Sequence, residues 1–503
     1  MRGLALVRDR LGGALARYPV EVTVAAIVFG CTAFFFQGGG WNQNSHYATT
    51  VALVERGTLY LDAYRDSTGD LSATGDHVAS NKAIGTSIVA VPGYLLAKLL
   101  TWPMSNRGDL IIVRAYLTSL FCSGVALAAL AVALYRVLRR RLAMTDAALV
   151  ALSTALATPL WPNSTMLTSH ALASFFAVAA FAVLSGAEER GPAPRLGLLV
   201  AAGALAALPA TVEYLTGLIL IPLGLYALWL ARPRWRVVWF GLGVAGVALV
   251  PLAHHALLFG DPFTTGYASM VTPAFRAAHG RGWYGFDGLS LSRLYELTFG
   301  SARGAFFLSP FLLAGVPGLV RLVRDYRTRT QGLVAAGVAW LVLLMVASFT
   351  HWHSGSATGS RYALLFVTFS AFGVGALMTR YRGWILVGMA LGFAFMVLAT
   401  SVTAIPPTPP DRGELVNVVS WWWERFAAGK LASWQQPILV EAGVGTGQPT
   451  LPFAFNLGQL LGLRGIASLL PLGCYLGITA WMLRRAVARA QHALPSSSLQ
   501  PPA

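Results

Sequence analysis

The chain has 503 residues, 56% of them apolar and 11% charged, with a mean hydropathy of +0.61. Soluble domains carry about 45–50% apolar and about 25% charged residues, so the composition excludes a water-soluble enzyme, a disordered chain or a nucleic-acid binder. It marks an all-α polytopic membrane protein, and the formal net charge of +17 must be read against that background.

The basic residues recur as short clusters between apolar stretches: Arg2, Arg8, Arg10 and Arg17; Arg136, Arg139, Arg140 and Arg141; Arg190 and Arg195; Arg232, Arg234 and Arg236; Arg321, Arg324, Arg327 and Arg329; Arg380 and Arg382; Arg484, Arg485 and Arg489. Such clusters mark cytoplasmic loops. Most of the positive excess is therefore topological, with anionic-lipid contact as a lesser reading.

A crossing helix needs about 20 mostly apolar residues. Stretches of that kind lie near 20–36, 83–101, 111–135, 145–161, 170–187, 196–212, 214–231, 237–258, 305–322, 332–350, 361–379, 383–402 and 461–483. The first is too long, and too poorly followed by small residues, for a cleaved secretory signal, so it reads as a retained span. Thirteen strict crossings would put Arg136 to Arg141 and every later cluster outside. The segment 83–101 is short, holds Pro92 and Gly93 and carries Lys98, so it reads as a juxtamembrane or re-entrant helix.

About 12 crossings then place both termini and every arginine cluster inside. Residues 1–490 form one transmembrane domain with outer loops 37–110, 259–304 and 403–460, and 491–503 form a disordered cytoplasmic tail. Cys31, Cys122 and Cys474 lie in or beside apolar segments and suggest neither a disulfide nor a thiolate metal site.

The first outer loop holds Asp62, Asp66, Asp70 and Asp76 with Glu55, His46, His77 and Lys82. Helical apolar spacing from Tyr47 to Val54, with Trp41 and Tyr47 nearby, predicts an amphipathic helix lying on the membrane. Four aspartates in a short run could hold Mg²⁺ or Mn²⁺ through oxygen ligands, Asp66 and Asp70 foremost. They could also supply a general base. The bland alternative is a solvated acidic loop.

At this loop the sequence resembles the GT-C class of membrane glycosyltransferases, especially the branch of protein O-mannosyltransferases and the lipid A aminoarabinose transferase. The order is similar: a first span, a polar motif with an aromatic, an amphipathic helix, a Gly-bearing turn, then a Lys before an apolar helix. Asn42-Gln43-Asn44-Ser45-His46-Tyr47 stands where the class has an Asp-Glu motif, and Asn81-Lys82-Ala83-Ile84-Gly85 where it has a Lys near a Pro-Pro-Leu element.

The resemblance implies an inverting transfer of a sugar from a polyprenyl-phosphate-linked donor to a lipid, glycan or protein acceptor. The transfer would take place at the outer face of a bacterial inner membrane, with the active site facing the periplasm or cell exterior and with a divalent cation as an optional cofactor. It implies Lys82 as the contact to the donor phosphate, for which a compact ammonium is suited. Gln43 and Asn44 cannot act as bases, so Asp66, then Asp62 and Asp70, stand as replacements for the missing carboxylates. Asn42, Asn44 and His77 complete the first-loop candidates.

In the second outer loop, arginines including Arg281 and Arg303 lie among Trp283, Tyr284 and Tyr295; arginine can clamp phosphate oxygens, or the set is an interfacial belt. His351-Trp352-His353-Ser354-Gly355 ends a span, and His353 with Arg361 reads as a sugar or phosphate contact. His351 and His353 diverge on a helix, which makes a zinc site weak. His170, Glu213, His254 and His255 are intramembrane ionisable groups read here as structural. Trp421-Trp422-Trp423 reads as an interfacial anchor.

Two rival functions remain. A transporter or flippase for lipid-linked saccharides would place charges in mid-span, whereas most charges here sit at span ends. An inactive binding homologue is suggested by Gln43 and Asn44.

Overall fold

The computed structural model describes residues 17–191, 194–406, 417–439 and 449–492. Arg2, Arg8, Arg10, Pro407, Pro409, Pro410 and the tail from 493 onward lie outside the described residues.

Each apolar stretch contains a helix. They are α1 (Pro19–Ala33), α3 (Ile84–Leu100), α4 (Arg107–Leu138), α5 (Met144–Leu156), α6 (His170–Glu189), α7 (Leu196–Val212), α8 (Tyr214–Leu230), α9 (Arg234–Phe259), α12 (Gly315–Arg324), α13 (Arg329–Ala347), α14 (Arg361–Leu377), α15 (Arg382–Val402) and α17 (Gly465–His492). Between them lie α2 (Trp41–Val51), α10 (Pro273–His279), α11 (Leu291–Thr298) and α16 (Val418–Ala427). Six of them, α4, α6, α9, α13, α15 and α17, are long and apolar enough to cross a membrane, and six more are shorter apolar helices. The chain is a multi-pass, helical membrane protein; among the described residues its strands are two short antiparallel pairs.

Helix packing follows membrane rules, in which small residues let backbones approach. A Cβ at Gly203 would lie 2.0 Å from the Phe240 carbonyl oxygen, and one at Gly243 would lie 2.1 Å from that of Val200. Helices α7 and α9 therefore touch backbone to backbone.

Arginines of two clusters meet at one end of this bundle. Arg136 at the end of α4 meets Glu21 at the start of α1 (3.5 Å). Arg140 bonds Ser185 Oγ (2.9 Å) and pairs with Glu189 (3.3 Å) at the end of α6. Arg141 reaches Gln331 at the start of α13, and Arg382 at the start of α15 reaches Asp146 at the start of α5. These pairings bring the ends of α4 and α6 together with the starts of α1, α5, α13 and α15.

The opposite end carries the first outer loop. Its helix α2 does not lie on a membrane surface as the spacing predicts, because Asn42 through Val51 are all buried. The reason is local bonding: Gln43 Nε2 donates to Gly39 O (3.0 Å), while Asn44 Nδ2 donates to Ser67 O (2.8 Å) and Pro437 O (3.1 Å). These amides tie α2 into a folded cap.

Helix α3 also belongs to this end. Thr86 Oγ1 at its start donates to Val212 O at the end of α7 (3.2 Å), and Arg114 Nε on α4 donates to Thr101 Oγ1 just past its end (3.0 Å). It runs antiparallel to the first half of α4, where Tyr116 bonds the carbonyl of Ala33, the last residue of α1 (2.7 Å).

Candidate functional site

Four strands form two pairs: β1 (Phe35–Phe36) with β4 (Phe455–Asn456), and β2 (Leu71–Thr74) with β3 (His77–Ser80). The second pair is a hairpin whose turn, Gly75-Asp76, places Gly75 at φ +58°, a conformation glycine adopts without steric cost. At its open end Leu71 faces Ser80, and Asn81 N–H donates to Asp70 O (3.3 Å). That register puts Lys82 beside Asp70. Their side chains form an ion pair of 3.1 Å, and both are close to nine-tenths buried.

The second outer loop is stitched to this hairpin. Val271 N–H donates to Leu71 O (3.0 Å), and Ser72 Oγ donates to Gly266 O. A Cβ at Gly266 would stand 2.9 Å from Asn81 Cα, so only glycine permits the approach that brings Tyr267 to 5.9 Å from the Lys82 ammonium.

Four further elements close on the pair. Helix α7 ends at Glu213, whose extended backbone (φ −153°, ψ 109°) stops the helix; its carboxylate accepts from Ser169 Oγ (3.2 Å). Arg361 begins α14 after a loop braced by Ser354, whose Oγ accepts the Arg361 N–H (3.0 Å). His170 starts α6, with its ring 6.2 Å from that of Tyr362. His46 comes from α2, where its carbonyl accepts from Thr50 Oγ1 (2.9 Å) and Ser87 Oγ (3.1 Å).

These groups are buried yet incompletely bonded. His46 Nδ1, His170 Nε2, Arg361 Nε and both amide atoms of Asn81 have no hydrogen-bond partner. Most buried polar atoms in folded proteins are paired, so such a concentration marks a place shaped for a polar ligand. A cavity of about 320 Å³, lined by Tyr267, Arg276, His279, Trp283 and Tyr284, opens beside it.

The electrostatics follow from burial and two cations. Burial, then Lys82 and Arg361, hold the His46 imidazolium down to about 3, so the ring is neutral. Glu213, in neither of the helices that flank it, has its carboxyl raised by burial against the opposing pull of Lys82 and Arg361. Burial and Arg303 lower His353 to about 3.

The other sequence candidates lie elsewhere or act structurally. Asp66 is exposed on the short helix Asp62–Ser67, which corrects its reading as the foremost base: that helix turns its carboxylate to solvent. Asp62 is half-exposed and spends its oxygens on His77 Nδ1 (2.8 Å) and Val78 N–H (2.9 Å). His77 is exposed and stacks on Tyr60.

Asn44 is a backbone tie, whereas Asn42 is buried with Oδ1 unpaired. Arg303 is buried but clamps the carbonyls of Gly355 (2.7 Å), Ala357 (3.1 Å) and Gly359 (3.0 Å), and burial and Arg361 lower it to about 9. His353 Nδ1 accepts the Gly355 N–H (3.1 Å) in the same loop. Arg281 is exposed, and its neighbour Arg293 is paired with Asp287.

Asp66 and Asp70, the foremost cation ligands expected from the sequence, lie in different surroundings. One faces solvent and the other is bound to Lys82, and among the described residues no group of three or more His, Cys, Asp or Glu side chains gathers as ligands. Of the sequence candidates the structure brings together Asp70, Lys82 and Arg361. It adds His46, Asn81, His170, Glu213, Tyr267 and Tyr362. For Glu213 the available signal was its being a lone acid between two apolar helices.

No family model matches the chain, and no curated protein matches it. Among solved structures, the chain is similar to ArnT from Cupriavidus metallidurans bound to undecaprenyl phosphate, with 16% identity, a TM-score of 0.49, and coverage of 94% of this chain and 78% of that one. It is also similar to the oligosaccharyltransferase AglB from Archaeoglobus fulgidus in complex with an inhibitory peptide and a dolichol-phosphate, with 11% identity and a TM-score of 0.48. That match covers 88% of this chain and 62% of the archaeal one. Both neighbours are GT-C glycosyltransferases, the class that the first-loop motifs resemble.

Proposed function

We propose that this protein is a glycosyltransferase that moves a sugar from a polyprenyl-phosphate-linked donor to a lipid, glycan or protein acceptor at the outer face of a bacterial inner membrane. The observation that carries this reading is the buried cluster around Lys82, Asp70, Arg361 and Glu213, at the end of the bundle opposite the arginine clusters. By the positive-inside rule that end is external.

A phosphate entering the cluster meets two cations and several unpaired polar atoms. Lys82 and Arg361 hold its oxygens by charge-assisted bonds and stabilise the negative charge that collects on the phosphate as the sugar leaves. Displacement at the anomeric carbon by the acceptor oxygen gives inversion. The cavity beside Tyr267 offers the acceptor a route from the outer face.

The test uses the purified full chain in liposomes with a panel of synthetic short-chain polyprenyl-phosphate sugars and detergent-solubilised envelope lipids as acceptors. Release of free polyprenyl phosphate with formation of a glycosylated lipid is the expected result. Movement of intact donor across the bilayer without release would favour a flippase. Neither release nor movement, with prenyl phosphate still bound, would favour the binding homologue.

A further inference from the structure

We infer that Glu213 is the general base of the transfer, the group that takes the proton from the acceptor hydroxyl. This rests on the glycosyltransferase reading above. The carboxylate is more than nine-tenths buried, and among the described residues it has no ion-pair partner within 4 Å. Ser169 Oγ donates to it at 3.2 Å, which fixes its direction and leaves lone pairs to receive a proton.

The other groups of the cluster are less suited to the task. Asp70 is held at 3.1 Å by Lys82, so its negative charge is spent on the cation that faces the phosphate. Asp66 faces solvent. His46, lowered to about 3 by burial and by Lys82 and Arg361, does not accept a proton near neutrality. Glu213 remains as the one buried carboxylate of the cluster free of a direct cation.

The step balances without another reactant. The acceptor O–H bond breaks and its proton passes to a Glu213 carboxylate oxygen, while the acceptor oxygen bonds to the anomeric carbon. The bond from that carbon to the phosphate oxygen breaks, and its electron pair stays on the phosphate, held by Lys82 and Arg361. Water reaching the cluster from the Tyr267 cavity then removes the proton.

The experiment measures two quantities on the full chain in liposomes: affinity for a short-chain prenyl phosphate and turnover of the synthetic donor. Glu213→Gln should leave that affinity within about twofold and cut turnover by about 10²–10⁴, the usual worth of a positioned base. Glu213→Asp, the second variant, should retain partial turnover and move the acid limb of the turnover–pH profile relative to wild type.

A merely structural carboxylate would leave that limb in place. Wild-type turnover and an unmoved limb in the variants would overturn the base assignment while leaving the transferase reading intact. A wild-type protein that neither binds prenyl phosphate nor turns over donor would overturn both.

Discussion

Removing the Lys82 ammonium should have two separable effects, one on stability and one on donor binding. Lys82 and Asp70 are 11% and 8% exposed and lie 3.1 Å apart; breaking such a pair from one side leaves a buried charge uncompensated, at about 3–5 kcal/mol. Lys82→Met should therefore lower the unfolding midpoint markedly, and the double variant Lys82→Met/Asp70→Asn should recover most of the loss because neither charge remains. Binding should not recover. A charge-assisted bond to phosphate contributes about 1.5–3 kcal/mol, which is about ten- to a hundredfold in affinity. Titration of each purified variant with a short-chain prenyl phosphate, beside a thermal unfolding curve, separates the terms. Lys98, half-exposed and paired with Glu55 at 2.9 Å, is the control, and Lys98→Ala should bind as wild type. If the double variant regains affinity along with stability, Lys82 is a structural counter-ion and the phosphate assignment is refuted.

Asp66→Asn should keep wild-type turnover within about twofold, since the side chain faces solvent; Asp62→Asn should cost at most about 1 kcal/mol of stability, because its pair with His77 is solvent-screened. Arg303→Met removes three bonds to the 355–359 carbonyls and should destabilise by about 2–5 kcal/mol in thermal unfolding, while the folded fraction still binds prenyl phosphate normally. A cysteine at Ser105, beyond the end of α3, should label with an impermeant thiol reagent from the outer side; labelling only from the cytoplasmic side would refute the twelve-crossing topology. The turnover of wild type should fall on acidification at a pH above that expected for an exposed glutamate, about 4.3, because burial raises Glu213 and the base works only when ionised. An acid limb at or below that value, from initial rates against pH, would contradict it.

The helices were legible because apolar runs of crossing length have few alternatives in a membrane. Some boundaries followed too, for 196–212 coincides with Leu196–Val212, whereas the helix in 145–161 ends at Leu156 and the one in 461–483 runs on to His492. The run 305–322 is broken at Ser309 before Pro310, since proline cannot donate to the preceding turn. The shared arginine end was also legible, because charge asymmetry is a property of composition. The hairpin 71–80 was not. Its strands are four residues each, and the hairpin is also bonded to Met270 and Val271, nearly 200 residues away. Asp66 was favoured over Asp70 because a sequence shows the density of acids and not which one a turn of helix exposes. Glu213 was read as structural because nothing local tells a satisfied buried acid from one facing Lys82 and Arg361.

The amides at Gln43 and Asn44 fit this arrangement by charge and by bonding. They spend their side chains on the backbone of Gly39, Ser67 and Pro437, so a carboxylate at either position would lose those donated bonds and set an acceptor against carbonyl oxygens. The negative charges that such a motif would supply instead enter from two distant segments, Asp70 at the mouth of the hairpin and Glu213 at the end of α7. Asp70 pairs with Lys82 at 3.1 Å, and Glu213 stays clear of a direct cation. Against Lys82 and Arg361 they leave the cluster near neutral before a ligand arrives. In the glycosyltransferase reading proposed above, an entering phosphate would replace Asp70 as the partner of Lys82 at little cost in charge separation, whereas a fully acidic motif beside it would repel such a donor.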